Sequence, residues 1–568
     1  MPQHPTVRFA LQLTPHFDDS ATATHISAKL TIKGLYGKGL PGSYRGHGKW
    51  ASHSRQKRTI FFHHSGYSYS TPAASFDTTV TGFQARDDEG PLPLTFLHLG
   101  KSGAEKECFA EREVHGGIVV TYTVLPIPDN PKDWSRRALR RDQGGLVGVG
   151  SSFIPRLKID EEYDVAIEWN LSQAPADTRA VTSYGEGDVS MKATDKTLAD
   201  SVFMVGRITS SPSRPRGSHG TYWLGSLPEN LIFLKDFNSK MFPHLARFFK
   251  DEDGSYRAFI RKVPSGLRGT TYNLSSLIDY DDDTRNEHEW ELVKLLNSRT
   301  IASWAQIDPE EGTTYNHWNQ WFSQGLSSLY SIYLPYRFGL YTPDYFRATL
   351  NGFLSAYFTN PFTIMKMNFY QIAAFVPDRW HAESGVAMRA CVYMIRMDAL
   401  TRRASLARNA GVARPLDGIV ADICARRRRG EKVQVKDWIK YLADWIGEEA
   451  AQKHFDKMIS GEMVDLGDVG TAFDGIDPGE QKVMDFGFDR LRYGEKVVQG
   501  VEEDSISYKA GLRNGDEVLW HSRPELCETY YKSKFRLLVQ RDGKEIKIEY
   551  SPRKDEKVRV WQSHKKQK

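Results

Sequence analysis

Residues 293–304 read Val293-Lys-Leu-Leu-Asn-Ser-Arg-Thr-Ile-Ala-Ser-Trp304, and further on the chain continues Trp321-Phe-Ser-Gln-Gly-Leu-Ser-Ser-Leu-Tyr330. In the first segment Val293, Leu296, Ile301 and Trp304 stand at i, i+3, i+8 and i+11, a single stripe of an α-helix. The second predicts a helix running from Trp321 towards Tyr336. A third helix is marked by Trp438, Leu442 and Trp445 at i, i+4 and i+7, with Asp437 placed to cap it and Gly447 to stop it. Beyond about residue 285 the chain therefore reads as helical.

Upstream the period changes. Val7-Arg-Phe-Ala-Leu-Gln-Leu, His25-Ile-Ser-Ala-Lys-Leu-Thr-Ile, Ile118-Val-Val-Thr-Tyr-Thr-Val and Tyr163-Asp-Val-Ala-Ile-Glu-Trp alternate with period two between Gly, Pro and Asp, which predicts an N-terminal antiparallel β-sandwich. The glycine- and histidine-rich stretch Gly34–Gly66 has no period and reads as a long loop. Tyr222-Trp-Leu-Gly and Tyr256-Arg-Ala-Phe-Ile-Arg read as strands of a mixed region. From about residue 480 strands and turns return. A chain of 568 residues exceeds a single core. The expected fold class is multi-domain α+β: a sandwich over 1–175, an α/β and helical domain over 176–475, and a small β domain with a basic tail over 476–568.

Composition excludes several classes. Hydrophobic residues at 40%, charged residues at 26% and a net charge of +5 are ordinary for a globular protein. The basic clusters Arg136–Arg141, Arg426–Arg429 and Lys565–Lys568 are short and dispersed, so they read as solvated surface and no nucleic-acid partner is expected. Cys108, Cys391, Cys424 and Cys527 have no C-x-x-C spacing and read as reduced thiols. Met1-Pro-Gln-His-Pro is not followed by a signal-like apolar run, and no stretch approaches the 18 to 20 apolar residues of a membrane span. No membrane partner is expected, and the expected compartment is the cytoplasm.

A series of further landmarks keeps its order along the chain: Gly269-Thr-Thr-Tyr-Asn-Leu-Ser-Ser-Leu-Ile-Asp-Tyr-Asp, Ser303-Trp-Ala-Gln-Ile-Asp, the Trp321 segment, Leu334-Pro-Tyr-Arg-Phe-Gly-Leu, Met397-Asp-Ala-Leu-Thr-Arg-Arg-Ala-Ser and Pro415-Leu-Asp-Gly-Ile-Val. Together they resemble the glycyl aminopeptidase-like family of zinc metallopeptidases, over roughly residues 175 to 550. The resemblance implies a thermolysin-like catalytic domain, preceded by a β domain and followed by a PDZ-like domain.

A hydrolase of the thermolysin kind carries two histidines at i and i+4 on one helix face, a glutamate beside the first to take a proton from zinc-bound water, and a third ligand from a second helix about twenty residues on. Laid on this sequence, the family's motif puts Ser298 at the first histidine, Arg299 at the catalytic glutamate, Ala302 at the second histidine and Gln324 at the third ligand. The later assisting tyrosine falls near Ala382, in His381-Ala-Glu-Ser-Gly. Serine, alanine and glutamine make a poor zinc set, and an arginine beside a divalent cation is unfavourable. The expectation is a degenerate member with no metal and no cofactor.

Two other frames lead nowhere. His288-Glu289 lacks a histidine at the fifth position, which is Leu292, and Glu291 with Lys294 spaces the third ligand poorly. The acidic run Asp279-Tyr-Asp-Asp-Asp lacks the spacing of a calcium loop and reads as a polar connection. His317 and His381 are isolated. Phe486-Gly-Phe488, followed by Ala510-Gly-Leu-Arg-Asn-Gly-Asp-Glu-Val, resembles the carboxylate-binding loop and next strand of PDZ domains, which would receive a C-terminal peptide.

Two functions follow as expectations. In one, the vacated cleft binds or transforms a small-molecule or peptide-like ligand without metal. Arg299, Gln324, Ser298 and Tyr272 would act on it, and Trp321 and His381 would line the cleft. In the other, the chain is a non-catalytic pseudopeptidase that binds peptides through the cleft or through Phe486, Gly487 and Phe488.

Overall fold

A computed structural model describes residues 7–34, 59–64, 80–99, 105–128, 137–157, 161–213, 219–264, 266–310, 320–375, 379–467, 475–491 and 496–564. His317, most of the 34–66 stretch and the Lys565–Lys568 tail lie outside the described residues. The chain forms two compact units, one of residues 1–239 with 255–292, the other of 240–254 with 293–568.

The first unit is built on a seven-stranded sheet whose inner strands are Tyr163–Trp169, Arg8–Phe17, Ala23–Lys33, Ile118–Val124 and Val80–Asp87. Alternation drives it: Phe9, Leu11 and Leu13 are buried while Arg8, Ala10 and Gln12 are not. Those residues pack against Leu146, Ala180, Phe203 and Val205 of a second, five-stranded sheet. The expected antiparallel pattern holds with one exception, since Arg8–Phe17 and Tyr163–Trp169 run parallel. The long excursion between them gives the chain room to return in the same direction.

In the second sheet Gly145-Leu-Val-Gly-Val149 and Val202-Phe-Met-Val-Gly206 are buried at every position. Their second face meets Tyr222, Leu224, Phe259, Tyr272 and Leu277 of a third sheet, so strands covered on both sides show no alternation. In that third sheet His219–Leu224, Tyr256–Lys262 and Ser275–Tyr280 run parallel, the first two joined through helix α1 (Glu229–Phe248).

The second unit is helical, followed by strands. Its helices include α2 (Glu289–Trp304, from Val293 onward), α3 (Gln320–Arg337), α4 (Pro343–Phe358), α5 (Ala382–Ala407), α6 (Pro415–Arg428), α7 (Val435–Ile446) and α8 (Glu448–Ser460). The α7 cap differs from expectation. Gln434 is the cap, and Asp437, three residues in, accepts the Gln434 N–H at 2.9 Å in a capping box, while Gly447 ends the helix as expected. Ile476–Met484 pairs with Arg553–Ser563, and Glu517–His521, Phe535–Arg541 and Lys544–Tyr550 form a three-stranded sheet over Phe486, Val498, Leu512 and Phe535. Among the described residues no helix is long and apolar enough to cross a membrane.

Candidate functional site

Of the four motif positions, Ser298, Arg299 and Gln324 are half-exposed and Ala302 is buried. Helix α2 buries Val293, Leu296, Ile301 and Trp304, which turns Ser298, Arg299 and Ser303 to half-exposed positions. Trp304 anchors the end of the helix, stacking on Phe249 with centroids 5.0 Å apart and donating its indole N–H to Asp251 at 2.6 Å. The Ser298 hydroxyl donates back to the Leu295 carbonyl at 2.8 Å, and Ala302 presents a methyl group. Asn297, one residue earlier, is 1% exposed and its Nδ2 has no hydrogen-bond partner.

Gln324 lies half-buried on α3. Its Nε2 donates to Gln320 at 3.4 Å, and its Oε1 is shielded from water with no donor. Gly325 lets α3 approach α5 closely: a Cβ there would stand 2.8 Å from the Ala390 carbonyl oxygen. The four motif positions thus carry a hydroxyl, a guanidinium, a methyl and a carboxamide. These groups do not fit a zinc ion, which takes thiolate, imidazole or carboxylate. No group of three His, Cys, Asp or Glu side chains among the described residues could hold a metal.

The other candidates have packed surroundings. Trp321 is 1% exposed, edge-on to Phe322, Tyr393, Trp438 and Phe455, which is a core position. His381, at the N-terminus of α5, is buried, its ring stacked on Phe486 at 5.2 Å and its Nδ1 3.8 Å from Glu528. Burial raises the Glu528 carboxyl above its ordinary range. Tyr272 belongs to the first unit, where it is buried beneath the Arg137 guanidinium, 5.5 Å from its ring centre, and burial raises its phenol.

Phe486 and Phe488 are core residues of the terminal segment, with the Trp380 indole against both at 5.5 and 5.7 Å. Gly487 takes φ +76°, which favours glycine. Its N–H donates to Asp485 at 2.8 Å, its carbonyl accepts Ser507 Oγ at 2.6 Å, and the Phe486 carbonyl accepts the Tyr550 hydroxyl at 2.6 Å. The acidic run is structural in part. Asp279 is buried against Arg261, Asp281 caps the following 3₁₀ turn, and Asp282 pairs with Lys262.

Among the buried polar residues that escaped the sequence reading are Asn297 and Arg389. Asn297 gave no signal beyond its neighbour Ser298. Arg389 could have been found, because it is the one charged residue in Gly385-Val-Ala-Met-Arg-Ala-Cys-Val-Tyr-Met-Ile395.

No protein-family model matches the chain, and no curated protein sequence matches it. Solved structures do. An aminopeptidase N family protein from Idiomarina loihiensis is similar at 14% identity with a TM-score of 0.62, over 98% of this chain and 96% of that one. An M1 zinc metallopeptidase from Deinococcus radiodurans is similar at 12% identity, over 81% and 95% of the two chains, with a TM-score of 0.43. Yeast LTA4 hydrolase is similar at 10% identity, over 81% and 68%, with a TM-score of 0.46. The chain has the fold of an aminopeptidase N family protein.

Proposed function

We propose that this chain is a degenerate, glycyl aminopeptidase-like protein that has lost zinc and peptidase activity. Its former cleft binds or transforms a small-molecule or peptide-like ligand without metal. One observation carries the reading: on two helices in an aminopeptidase-type fold, the residues at the motif positions are Ser298, Arg299 and Gln324, all half-exposed, and Ala302, buried. Arg299 is suited to hold an anionic or carbonyl group, and the Gln324 carboxamide oxygen, shielded and undonated, to accept from a ligand N–H or O–H. Four buried, unlinked cysteines support a reducing compartment such as the cytoplasm.

The scaffold reading through a PDZ-like groove draws less support, because the Gly487 N–H is already committed to Asp485 and both phenylalanines serve the core. Metal analysis of the purified chain is expected to give far less than one zinc per molecule, with no hydrolysis of aminoacyl substrates when zinc is added. Near-stoichiometric zinc would overturn the proposal. Metabolite profiles of cells with and without the gene then identify the ligand, and Arg299→Glu is expected to weaken its binding at least tenfold. Unchanged binding removes Arg299 from the site.

A further inference from the structure

Two arginines among the described residues are fully buried, and they are treated differently. Arg261 is held by both oxygens of Asp279, at 2.8 and 3.1 Å. Arg389 on α5 has no such partner. Its Nη1 donates to the Met367 carbonyl, and its guanidinium carbon lies 5.7 Å from the centre of the Phe369 ring. The Tyr357 hydroxyl, which accepts the Val464 N–H at 2.7 Å, also interacts with the guanidinium, but it carries no charge to balance it. Nε and Nη2 are shielded from solvent and make no hydrogen bond, and no carboxylate among the described residues pairs with the side chain. A cation left uncompensated in a protein interior is strongly destabilising unless something else meets it.

The two idle atoms matter by position. Nε and Nη2 form the side edge of the guanidinium, which takes both oxygens of a carboxylate or phosphate in parallel hydrogen bonds. Two surface segments meet beside Met367, whose carbonyl Nη1 reaches. A Cβ on Gly461 would come within 2.3 Å of the Lys366 carbonyl oxygen, so the 461–464 and 365–370 segments touch directly. They also carry exposed apolar side chains, Met365 (55%), Tyr370 (39%) and Met463 (37%).

We propose that Arg389 is the anion-recognising group of a second ligand site, which takes a small amphiphile with a carboxylate or phosphate head on an apolar chain. The head bonds to Nε and Nη2, and the chain lies along Met365, Tyr370 and Met463 once the 365–370 segment parts from Gly461. This site does not rest on the metal-independent reading of the Ser298–Gln324 positions.

Calorimetric titration of the full chain with octanoate, octyl phosphate and octanol tests it, with Arg389→Met and Arg389→Lys alongside. One of the two anions is expected to bind at least tenfold more tightly than octanol, and the tighter one identifies the head. Arg389→Met is expected to lose at least tenfold of that affinity and Arg389→Lys to recover part of it. Without ligand, Arg389→Met is expected to melt no lower than the parent, since an apolar side chain replaces an unpaired cation. Failure of both anions to bind, equal binding of octanol, or unchanged binding by Arg389→Met would overturn the proposal. So would an Arg389→Met variant that fails to fold, because the cation would then serve the structure.

Discussion

Asp142 shows how a single buried carboxyl sets a pH dependence. It is 4% exposed, its Oδ2 accepts the Lys262 N–H at 3.2 Å, and its Oδ1 has no partner. Arg261 nearby is already committed to Asp279, and burial pushes the Asp142 carboxyl up to about 7. An unfolded aspartate titrates near ~3.9. Between these values the folded chain holds a proton that the unfolded chain has released. The stability contributed by this group is therefore complete below about pH 4 and lost as pH rises through about 7, an effect on the order of 4 kcal/mol. Asp142→Asn is expected to flatten that slope and to be more stable than the parent at pH 8 by roughly 1–4 kcal/mol. Urea melts at pH 5 and pH 8 decide it, and parallel profiles for parent and variant would assign the proton elsewhere. Environment also explains what the sequence concealed at this scale. Helical spacing and flanking landmarks single out Ser298, Arg299 and Gln324 in the sequence, but an aromatic side chain in a cleft wall is spelled like one in a core. Trp321, Phe486 and Phe488 therefore became legible only once their neighbours were known.

At the scale of elements, the Trp-Phe-Ser-Gln-Gly landmark gains a mechanical cause. Gly325 is where α3 crosses α5: a Cβ there would meet the Ala390 carbonyl oxygen at 2.8 Å, its carbon at 2.9 Å and the Ala390 Cβ at 3.0 Å. The obstacle is mostly backbone, which cannot swing aside as a flexible side chain would. In an isolated helix Gly→Ala stabilises by about 1 kcal/mol. Here the steric cost is expected to reverse the sign, so that Gly325→Ala destabilises the chain by about 1–3 kcal/mol in urea melts. A stabilised variant would show that the helices part readily. The amphipathic helices were legible because half of each faces water. The second sheet of the first unit was not, because Gly145–Val149 and Val202–Gly206 are covered on both faces and carry no period to read.

At the scale of the whole second unit, the terminal segment is bound into the helices that precede it. The Met484 N–H donates to the Thr359 carbonyl at 3.0 Å, and the Ser355 hydroxyl donates to Gln481 at 2.6 Å. Asn351 exchanges two hydrogen bonds with the Ser563 backbone, at 2.9 and 2.6 Å. Arg553, buried, reaches Thr359 Oγ1 and the Cys527 carbonyl, each at 2.8 Å, with its guanidinium 4.8 Å from the centre of the Tyr531 ring. Gly352 of α4 faces Thr529 so closely that a Cβ would lie 2.5 Å from its carbonyl oxygen. Trp380, from the turn before α5, completes the apolar cluster of Phe486, Phe488 and Phe535. A domain joined only by a flexible tether would have none of these links. Removing it would uncover the far side of α4 and strand the polar partners Ser355, Thr359 and Asn351. A chain ending at residue 475 is therefore expected to bind a dye specific for exposed apolar surface, and to melt lower than the full chain by at least about 5 °C. A truncated chain that keeps the parent midpoint and stays dark to the dye would show that the segment folds on its own and that these contacts contribute little.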